Sequence, residues 1–504
     1  MVGTVCIDGS SLRRTPSLSI LCVASLACLV NSFARAGNPN EPVVVGQAIV
    51  RADSAKQLTQ TIAALSQTFT GVAVLDSIEG RPIYLLSYGL AANQSLADVD
   101  AAIATLLAQG TIAWGELNYI GQTGEGQTDS LWLSGLGISQ NAFESQYAVP
   151  LLGVTQAHER SRGAGVIVAV IDTGIDAAHP ALDGSVSTKG VSFVPQSSSF
   201  ADIGDGVDND NDGLTDEQVG HGTFVAGLIH LVAPDAMLLS VRVLDSEGIA
   251  GNFQIARALA WSIDHGAHIA NMSLGETYRS QALEDIVGEA KVKGVVVIGA
   301  AGNSNTDDPR QFPACDQSAV GVAALDWDDI KAPFSNFEDR IAFSAPGHSQ
   351  FTKVGPNLAH CIVGPVPNGM YAVWSGTSFA TAFASGTAAL VRAQHPEWPS
   401  VTTPLAEIRS TLTNTLGSTG APINALNPGF AGLLGASRIS AVNAVAVGPI
   451  APLTADVNAD GNVDAADLSL ILALWGTLGA ATRSDIDASG EVDAADLSLL
   501  LAHW

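Results

Sequence analysis

The chain has 504 residues, of which 47% are hydrophobic, 14% are charged and 51 are glycine. This length is sufficient for several domains with large buried cores. The formal net charge of -27 argues against binding to nucleic acid or to anionic membranes, and favours a solvated surface or divalent cations.

The first 36 residues have the pattern of a secretory signal. Two arginines precede an apolar run from Leu18 to Val30, and Ala34-Arg35-Ala36 offers small residues for cleavage. The run is short for a span of about 20 residues, so a membrane anchor, or a lipoprotein linked through Cys28, is the weaker alternative. We predict a signal peptide at residues 1–36, a secreted or cell-surface protein, and no stable membrane insertion after signal removal.

Residues 43–121 alternate as strand, helix, strand, strand, helix, strand. The strands are predicted at VVVGQAIVR, GVAVLD, RPIYLLSYG and AWGELNYIG, and the helices at SAKQLTQTIAALS and LADVDAAIATLLAQG. This order predicts a small ferredoxin-like α+β domain.

Residues 145–448 alternate apolar strands with helical stretches, which predicts an α/β domain with a doubly wound parallel sheet. Such sheets bind ligands at the carboxyl edge of their strands. The Gly- and Pro-containing connection VGPIAPLT separates this domain from the last module, residues 454–504.

Three segments carry the residues of a hydrolytic site. VAVIDTGID places Asp172 at a strand end, GHGTFVAGLI places His221 at a helix start, and SGTSFATAFASG places Ser378 at the start of a small-residue helix. A serine hydroxyl needs an adjacent base that is oriented by a carboxylate. Each residue alone has a structural interpretation, as a turn residue, a core histidine or a packed hydroxyl, but all three together favour catalysis.

These motifs resemble the subtilisin-like serine proteases (subtilases), and the resemblance covers roughly Val149 to Val445. It implies that Asp172, His221 and Ser378 are the catalytic triad and that Asn303, in GVVVIGAAGNSN, is the oxyanion-hole residue. It further implies that Ser273, Leu274 and Gly275, in INMSLG, pair with the backbone of a protein or peptide substrate.

Two consequences of the resemblance concern the flanks of the triad. Residues 43–121 are similar to a subtilase propeptide, which implies a folding aid and temporary inhibitor; the alternative is an accessory domain that stays attached. The expected processing site lies between Gly121 and Glu144. The family usually has Pro and His shortly after the nucleophile, where this chain has Ala382 and Phe383, so the pocket behind Ser378 is expected to differ in shape.

The last module contains two copies of a calcium-loop pattern, DVNADGNVDAADLSLILALW and DIDASGEVDAADLSLLLAHW. Each has oxygen-bearing residues at EF-hand spacing, a glycine at position six and an apolar residue at position eight. The predicted Ca²⁺ ligands are Asp456, Asn458, Asp460, Asn462, Asp464 and Asp467 in the first copy, and Asp485, Asp487, Ser489, Glu491, Asp493 and Asp496 in the second.

A helix follows each loop but none precedes it, and this combination resembles a dockerin domain. The resemblance implies a cohesin-type partner, with Ala465-Ala466 and Ala494-Ala495 at the recognition positions. A calcium-dependent stabiliser or a cell-surface retention module is the equal alternative.

A third acidic loop, DGVDNDNDGLTDEQ, lies between Asp172 and His221. Position twelve of its EF-hand pattern is Val219, so the loop is incomplete. We predict a calcium clip that stiffens the approach to His221; the alternative is a flexible turn. Its predicted ligands are Asp208, Asp210, Asp212 and Asp216.

Two cysteines, Cys315 and Cys361, lie outside the predicted signal, and either a disulfide or two buried thiols fits them. We expect a secreted, calcium-dependent serine endopeptidase. The alternatives are a non-catalytic binding or assembly component with the same fold, and an esterase. An esterase predicts a Gly-x-Ser-x-Gly elbow with its histidine last in sequence, and neither feature is present.

Overall fold

The computed structural model describes residues 42–127, 133–134, 138–209, 212–352, 355–401, 403–446, 457, 463, 465–475, 484, 492 and 494–502. The predicted signal peptide lies outside these residues. Within them, no helix combines the length and the apolar character needed to cross a membrane.

The N-terminal domain is an antiparallel sheet covered by two helices. Its strands are hydrogen-bonded in the order β2-β3-β1-β4, which is consistent with the predicted ferredoxin-like arrangement. The elements are β1 (Val43–Arg51), α1 (Ala55–Leu65), β2 (Thr70–Ser77), β3 (Ile83–Gly89), α2 (Leu96–Ala108) and β4 (Trp114–Gln122).

The two faces of this sheet have different partners, because successive side chains of a strand point to opposite sides. On β1, Ala48 and Val50 pack into the domain's own core. Ile49, between them, packs on the opposite face with Ile83 and Leu85 into a core that continues in the following domain. The N-terminal domain therefore shares a hydrophobic core with the rest of the chain.

The central domain contains a seven-stranded parallel sheet in the order β13-β12-β11-β10-β6-β8-β7, which confirms the predicted doubly wound α/β fold. Before and within this sheet lie β5 (Leu133–Ser134), α3 (Gln140–Glu144), α4 (Ala148–Leu152), α5 (Val154–Ala157), β6 (Ile167–Asp172), β7 (Val191–Ser192), α6 (His221–Val232), β8 (Met237–Arg242), β9 (Ile249–Gly251), α7 (Asn252–Asp264), β10 (Ile269–Met272), α8 (Gln281–Val292), β11 (Val296–Ala300), β12 (Val320–Leu325) and β13 (Ile341–Pro346).

The remaining elements complete this domain and the tail. β5 pairs with β17, so the central domain includes residues that precede position 145. The elements are β14 (Phe351–Thr352), β15 (Gly355–Pro356), β16 (Ile362–Val366), β17 (Met370–Trp374), α9 (Thr377–Ala393), α10 (Leu405–Thr419), α11 (Ala441–Ala446), α12 (Ala465–Ala473) and α13 (Ala494–Ala502).

Helices cover both faces of the parallel sheet. Val168 and Val170 of β6 pack with α6 and α9 in one core. Ala169 and Ile171 pack on the other face with α7 and α8. A strand that is buried on both faces is expected to be apolar throughout, which explains the unbroken Val, Ala and Ile run that precedes Asp172.

The N-terminal domain also caps two helices of the central domain. The Glu116 carboxylate accepts hydrogen bonds from Ser280 Oγ at 2.8 Å, Gln281 N at 2.8 Å and Ala282 N at 3.1 Å, at the start of α8. Asn118 Oδ1 accepts one from Phe253 N at the start of α7. These caps satisfy helix N–H groups that have no partner within the helix.

Ion pairs surround the same contact surface. Arg81 pairs with Glu289 at 2.7 Å and also with Asp264, and Arg51 pairs with Asp285 at 2.7 Å. Partly exposed pairs of this kind contribute only about 0–1 kcal/mol each. The apolar core and the two buried caps therefore dominate the attachment of the domain.

Candidate active site

Asp172 is the last residue of β6, at the carboxyl edge of the sheet. Its side chain is fully buried. Its Oδ1 accepts a hydrogen bond from Thr173 N at 2.8 Å and lies 2.8 Å from His221 Nδ1. This contact orients the imidazole so that Nε2 points away from the carboxylate.

His221 is the first residue of α6, and the next residue, Gly222, lets this helix lie against the end of β6. A Cβ atom at position 222 would lie 2.2 Å from the carbonyl oxygen of Gly174. Such a contact is impossible for real atoms, so only glycine allows the distance between Asp172 and His221 that the structure shows.

Ser378 is the second residue of α9, a helix in which every residue is buried. Its hydroxyl donates at 2.8 Å to Glu125 Oε2 and lies 3.2 Å from the carbonyl oxygen of Ser273. Ala382 and Phe383, which depart from the family pattern, are fully buried in the core beside α6. The helix is thus continuous with these two residues in place.

Asn303 follows β11 and is held by the residue that precedes Ser378. Its Oδ1 accepts hydrogen bonds from the backbone N of Thr377 at 2.9 Å and from the Thr377 hydroxyl at 2.8 Å. Since the carbonyl side of the amide is occupied, Nδ2 points into the site, where it donates to Glu125 Oε1 at 3.2 Å.

Glu125 is the functional residue that sequence reasoning missed. It lies just after β4, in the short helical turn Gly124–Gln127, and its side chain is completely buried. Oε2 contacts Ser378 Oγ and lies 3.1 Å from His221 Nε2, while Oε1 accepts from Asn303. One carboxylate therefore occupies the point where the three candidate catalytic groups meet.

The two flanking carboxylates change the titration of the imidazole. Burial alone would lower the pKa of His221, but the carboxylates of Asp172 and Glu125 outweigh it and raise this pKa to about 10. A raised pKa means that the protonated imidazole is the stable form while Glu125 is in place. In that form the imidazole cannot accept the proton of a nucleophile.

The segment that leads to Glu125 lies in an extended cleft between Gly275 and β9. Gln122 N donates to the Gly275 carbonyl at 3.0 Å, and Gly275 N donates to the Gln122 carbonyl at 2.9 Å. On the other side, β4 pairs antiparallel with β9, and Thr123 N donates to Gly248 O at 3.0 Å.

The predicted substrate-binding residues follow the end of β10 and form one wall of this cleft; β9, which sequence reasoning did not single out, is the other. Gly275 makes the backbone pairing. Ser273 instead supports the nucleophile helix, because its hydroxyl donates to the carbonyl of Ser378 at 2.9 Å. Leu274 is buried in the core beneath the sheet.

In the acidic loop before His221, the aspartate side chains accept hydrogen bonds from backbone N–H groups of the same loop. Asp208 accepts from Gly213 N at 3.1 Å, Asp212 from Leu214 N at 2.7 Å, and Asp216 from Asp205 N at 2.9 Å. Asp210 lies outside the described residues. Within the described part of the chain, no three acidic, histidine or cysteine side chains form a group that could hold a metal ion.

Two further acidic side chains face each other beside this loop. Burial, followed by the neighbouring Glu247 carboxyl, raises the pKa of Glu217 to about 7. Glu247 is itself buried and accepts a hydrogen bond from Asp216 N at 2.8 Å. Acidic side chains are therefore crowded beside the approach to His221, and Glu217 holds a proton more readily than an isolated carboxyl group.

Most predicted ligands of the tail lie outside the described residues. Asp467 and Asp496 are described, and both are buried at the first turn of α12 and α13. The other ten are not: Asp456, Asn458, Asp460, Asn462, Asp464, Asp485, Asp487, Ser489, Glu491 and Asp493. Val457, Ile471, Val492 and Leu500 form a small core between the two repeats.

Both cysteines are free thiols in this structure, so the disulfide is not formed; Cys361 is buried, whereas Cys315 is only partly buried. Cys315 packs against the core on the α7 and α8 side of the sheet, whereas Cys361 belongs to the core on the α6 and α9 side. The Cys361 thiol donates to the Asn357 carbonyl at 3.1 Å. A sheet between the two sulfurs prevents their pairing.

Known proteins resemble the central part of this chain in sequence. Residues 163–437 match the Subtilase family (Peptidase_S8). Subtilisin BL from Lederbergia lenta is 36% identical over 274 residues, which cover 52% of this chain and 88% of that protein. Thermitase from Thermoactinomyces vulgaris is 33% identical over 259 residues, covering 49% and 82% of the two chains.

Solved structures share the fold. Fervidolysin from Fervidobacterium pennivorans, described as a keratinolytic enzyme related to subtilisin, has a TM-score of 0.63 at 22% identity; the match covers 82% of this chain and 62% of fervidolysin. A lanthipeptide protease has a TM-score of 0.51 at 23% identity, with 62% and 97% covered. With the sequence matches, these findings show that the chain belongs to the subtilase family and is a subtilisin-like serine endopeptidase.

Proposed function

We propose that this chain is a secreted endopeptidase that cleaves proteins or peptides with Asp172, His221 and Ser378, and that it is made in a latent form. The observation that carries the proposal is the convergence of Ser378, His221 and Asn303 on the one carboxylate of Glu125. A nucleophile, a base and an amide donor around one carboxyl group is the arrangement that acyl transfer requires.

The residues have the following roles once Glu125 has left the site. His221 Nε2 takes the proton of Ser378 as its Oγ attacks the substrate carbonyl carbon, and later gives that proton to the leaving amine. Asp172 holds the imidazole through Nδ1 and stabilises its charged form. Asn303 Nδ2 donates to the oxyanion. The hydrogen bonds from Thr377 to Asn303 Oδ1 keep the side-chain amide oriented towards that position.

A substrate binds as an added strand between Gly275 and β9. The support for this role is that residues 121–123 already lie there with antiparallel backbone pairing on both sides. Main-chain hydrogen bonds of this kind provide affinity for an extended peptide with little dependence on its side chains.

The N-terminal domain serves as an inhibitor in this proposal. Its last strand fills the cleft, and Glu125 supplies a side-chain carboxylate at the position of the carboxylate product of peptide hydrolysis. This carboxylate also keeps His221 protonated. The N-terminal domain therefore blocks the substrate cleft and also prevents His221 from acting as a base. Separation of the N-terminal domain is therefore the activating event.

Calcium dependence and attachment through the tail are the remaining parts of the proposal. The support for Ca²⁺ is the EF-hand spacing of the repeats and the acidic side chains of the loop at residues 205–217. Leu472, Trp475 and Leu501 of the tail are exposed, and such side chains suit a docking surface for a cohesin-type partner.

Fluorophosphonate labelling of Ser378 tests the catalytic role. We expect the chain to be labelled after removal of the N-terminal domain, and the Ser378→Ala variant to remain unlabelled. Failure to label a correctly folded protein that lacks the N-terminal domain would favour the alternative, a binding or assembly component. A peptide-library cleavage profile read by mass spectrometry would then define specificity and the processing site together.

A further inference from the structure

Helix α6, which carries His221, begins without a capping side chain of its own. Its N-cap residue is Gly220, with φ of 103°. The first N–H groups of a helix need acceptors from elsewhere, and a Ser, Thr, Asp or Asn at the N-cap usually supplies one. Here Gly222 N donates to Thr173 Oγ1 at 2.9 Å, and Thr223 N donates to Asp202 Oδ2 at 3.0 Å.

Asp202 comes from the segment between β7 and α6, and its carboxylate makes four hydrogen bonds. Oδ1 accepts from Gly220 N at 3.0 Å and from Thr173 Oγ1 at 3.1 Å. Oδ2 accepts from Thr223 N and, at 2.6 Å, from the Thr223 hydroxyl. The side chain is 1% exposed. One buried carboxylate thus joins the residue after Asp172 to the residues on both sides of His221.

The directions of these bonds suit a negatively charged Asp202. The Thr223 hydroxyl oxygen accepts from Asp176 N at 3.0 Å, and that of Thr173 accepts from Gly222 N, so each hydroxyl proton is available for Asp202. All four contacts therefore donate to the carboxylate, which suits the ionised form. Burial, with a smaller contribution from the Asp172 carboxylate, raises the pKa of Asp202, and the hydrogen bonds from Thr223 and Gly220 limit this rise.

The loop around Asp202 is fixed to the strands of the sheet. Arg242 of β8 donates to the carbonyl oxygens of Ala201 at 3.1 Å and Ile203 at 2.9 Å. Ser240, on the same strand, donates to the Phe200 carbonyl at 2.7 Å. Since Arg242 pairs in register with Asp172, the strands that position the candidate carboxylate also position Asp202.

We infer that Asp202 is a positioning residue for catalysis, which acts through His221 and touches no substrate. It fixes the start of α6 against the end of β6, and its negative charge favours the imidazolium that forms during the reaction. Two independent arrangements support this role: the missing side-chain cap at Gly220, and the fixation of the Asp202 loop by Arg242.

The test compares Asp202→Asn with Asp183→Asn, an exposed aspartate in the same stretch of chain. All variants are made in the full chain and receive the same limited proteolysis before the assay, so each result is a ratio to the unchanged chain. We expect Asp202→Asn to lower kcat by about 100-fold, the scale of a misplaced catalytic group, with KM nearly unchanged. Asp183→Asn should leave both constants as they are.

The pH profile separates positioning from a merely structural role. Loss of the Asp202 charge should move the acid limb of kcat/KM to lower pH by on the order of one unit, because a nearby anion no longer favours the imidazolium. If Asp202 had only a structural role, its loss would lower the maximum of kcat/KM and leave the pH of the acid limb unchanged. That result would overturn the inference.

A second pair of variants keeps the test decisive where Asp202→Asn does not fold. Thr173→Val removes the hydroxyl that links Asp202 to Gly222, whereas Thr173→Ser keeps a hydroxyl in place. We expect the valine variant to lose much more of kcat than the serine variant at equal unfolding temperature. Equal kcat values for the two variants would contradict the inference.

Discussion

Two buried carboxylates each cap a helix that begins many residues away in the sequence, and the two helices lie in different regions of the molecule. Asp202 caps α6 inside the central domain, where every partner belongs to the same folded unit. Glu116 caps α8 across the contact surface between the N-terminal and central domains. A helix cap by a buried carboxylate therefore stabilises the carboxyl edge of the parallel sheet in the central domain, and it holds the N-terminal domain at the contact surface.

The two regions differ because the N-terminal domain can separate from the contact surface, whereas the edge of the parallel sheet is part of the central domain. The catalytic edge is continuous with the parallel sheet, so its geometry depends on the fold as a whole. The contact surface combines a shared apolar core with groups that respond to pH, since burial raises the pKa of Glu116 to about 7. We expect changes at the edge to abolish chemistry, and changes at the contact surface to alter the release of the N-terminal domain.

Ser378→Ala should have the largest effect. It is expected to lower kcat by a factor on the order of a million, a magnitude that comes from subtilisin itself. The N-terminal domain should remain bound, because its apolar contacts and its two caps are untouched. Activity assays and size-exclusion chromatography check the two halves of this expectation, and a loosened N-terminal domain would contradict the separation of the two regions.

Asn303→Ala should lower kcat by about 100- to 1,000-fold, a range that also comes from subtilisin, with little change in KM. The reason is the loss of the Nδ2 donor while the cleft keeps its backbone pairing. Asn305→Gly is the matched control, since the backbone φ of 51° there accepts glycine. An equal loss in both variants would show that the loop, and not the amide donor, is responsible.

Glu125→Ala should give the full-length chain activity before any removal of the N-terminal domain, of several-fold or more over the unchanged chain. Glu125→Gln should release less, because the amide keeps the size and part of the hydrogen bonding. Steady-state hydrolysis of a small peptide substrate measures both. Unchanged latency in the alanine variant would assign inhibition to the strand β4 alone.

Alkaline pH should weaken the same contact. The pKa of His221 is raised from its ordinary value of 6.5 to about 10 with Glu125 in place. The stabilisation from the imidazolium is thus complete below about pH 6.5 and is lost as the pH rises through about 10. The rate of activation of the full chain should increase between pH 7 and pH 10. In Glu125→Ala this rate should depend less on pH.

Glu116 should give a smaller pH effect of the same sign on the attachment of the N-terminal domain, at lower pH than the His221 effect. Its attached-state pKa of about 7 exceeds the ordinary 4.5, so the attached state binds more protons. Attachment is therefore strongest below about pH 4.5, weakens up to about pH 7 and is constant above it. Thermal unfolding of Ser378→Ala between pH 4.5 and pH 8 should show this slope.

Matched variants identify the group responsible for that slope. Glu116→Gln should flatten it, and Glu79→Gln, an exposed glutamate of the same domain, should retain it. A slope that persists in Glu116→Gln would assign the titration to another residue.

Chelation of calcium should produce the smallest effect. We expect removal of Ca²⁺ to lower the unfolding temperature of the tail and to leave the parallel sheet folded. Differential scanning calorimetry with and without chelator measures both transitions. An unchanged tail transition would rule out the EF-hand interpretation of the repeats.

The central fold and the three triad candidates could be predicted because their signals are local. An apolar run that ends in Asp172 is a strand buried on both faces, and the glycines beside His221 and Ser378 leave room for close contacts at the starts of α6 and α9. Local patterns also gave the strands and helices of the N-terminal domain.

Glu125 and Asp202 could not be predicted, because each reaches its partners from a segment without periodic pattern. Glu125 is 96 residues from His221 in the chain and 253 from Ser378. The available signals were indirect: the region expected to contain a processing site began before Glu125, and a helix that starts at Gly220 lacks its own cap. The ring of partners around either carboxylate exists only in the folded chain.

The pairing of β4 with β9 has a consequence for the protein before it meets any substrate. β9 is three residues long, and without a neighbour its unpaired N–H and C=O groups would offer a template for other chains. The N-terminal domain covers this edge from within the same molecule. Loss of that cover should increase self-association of the chain, independently of any gain in proteolysis.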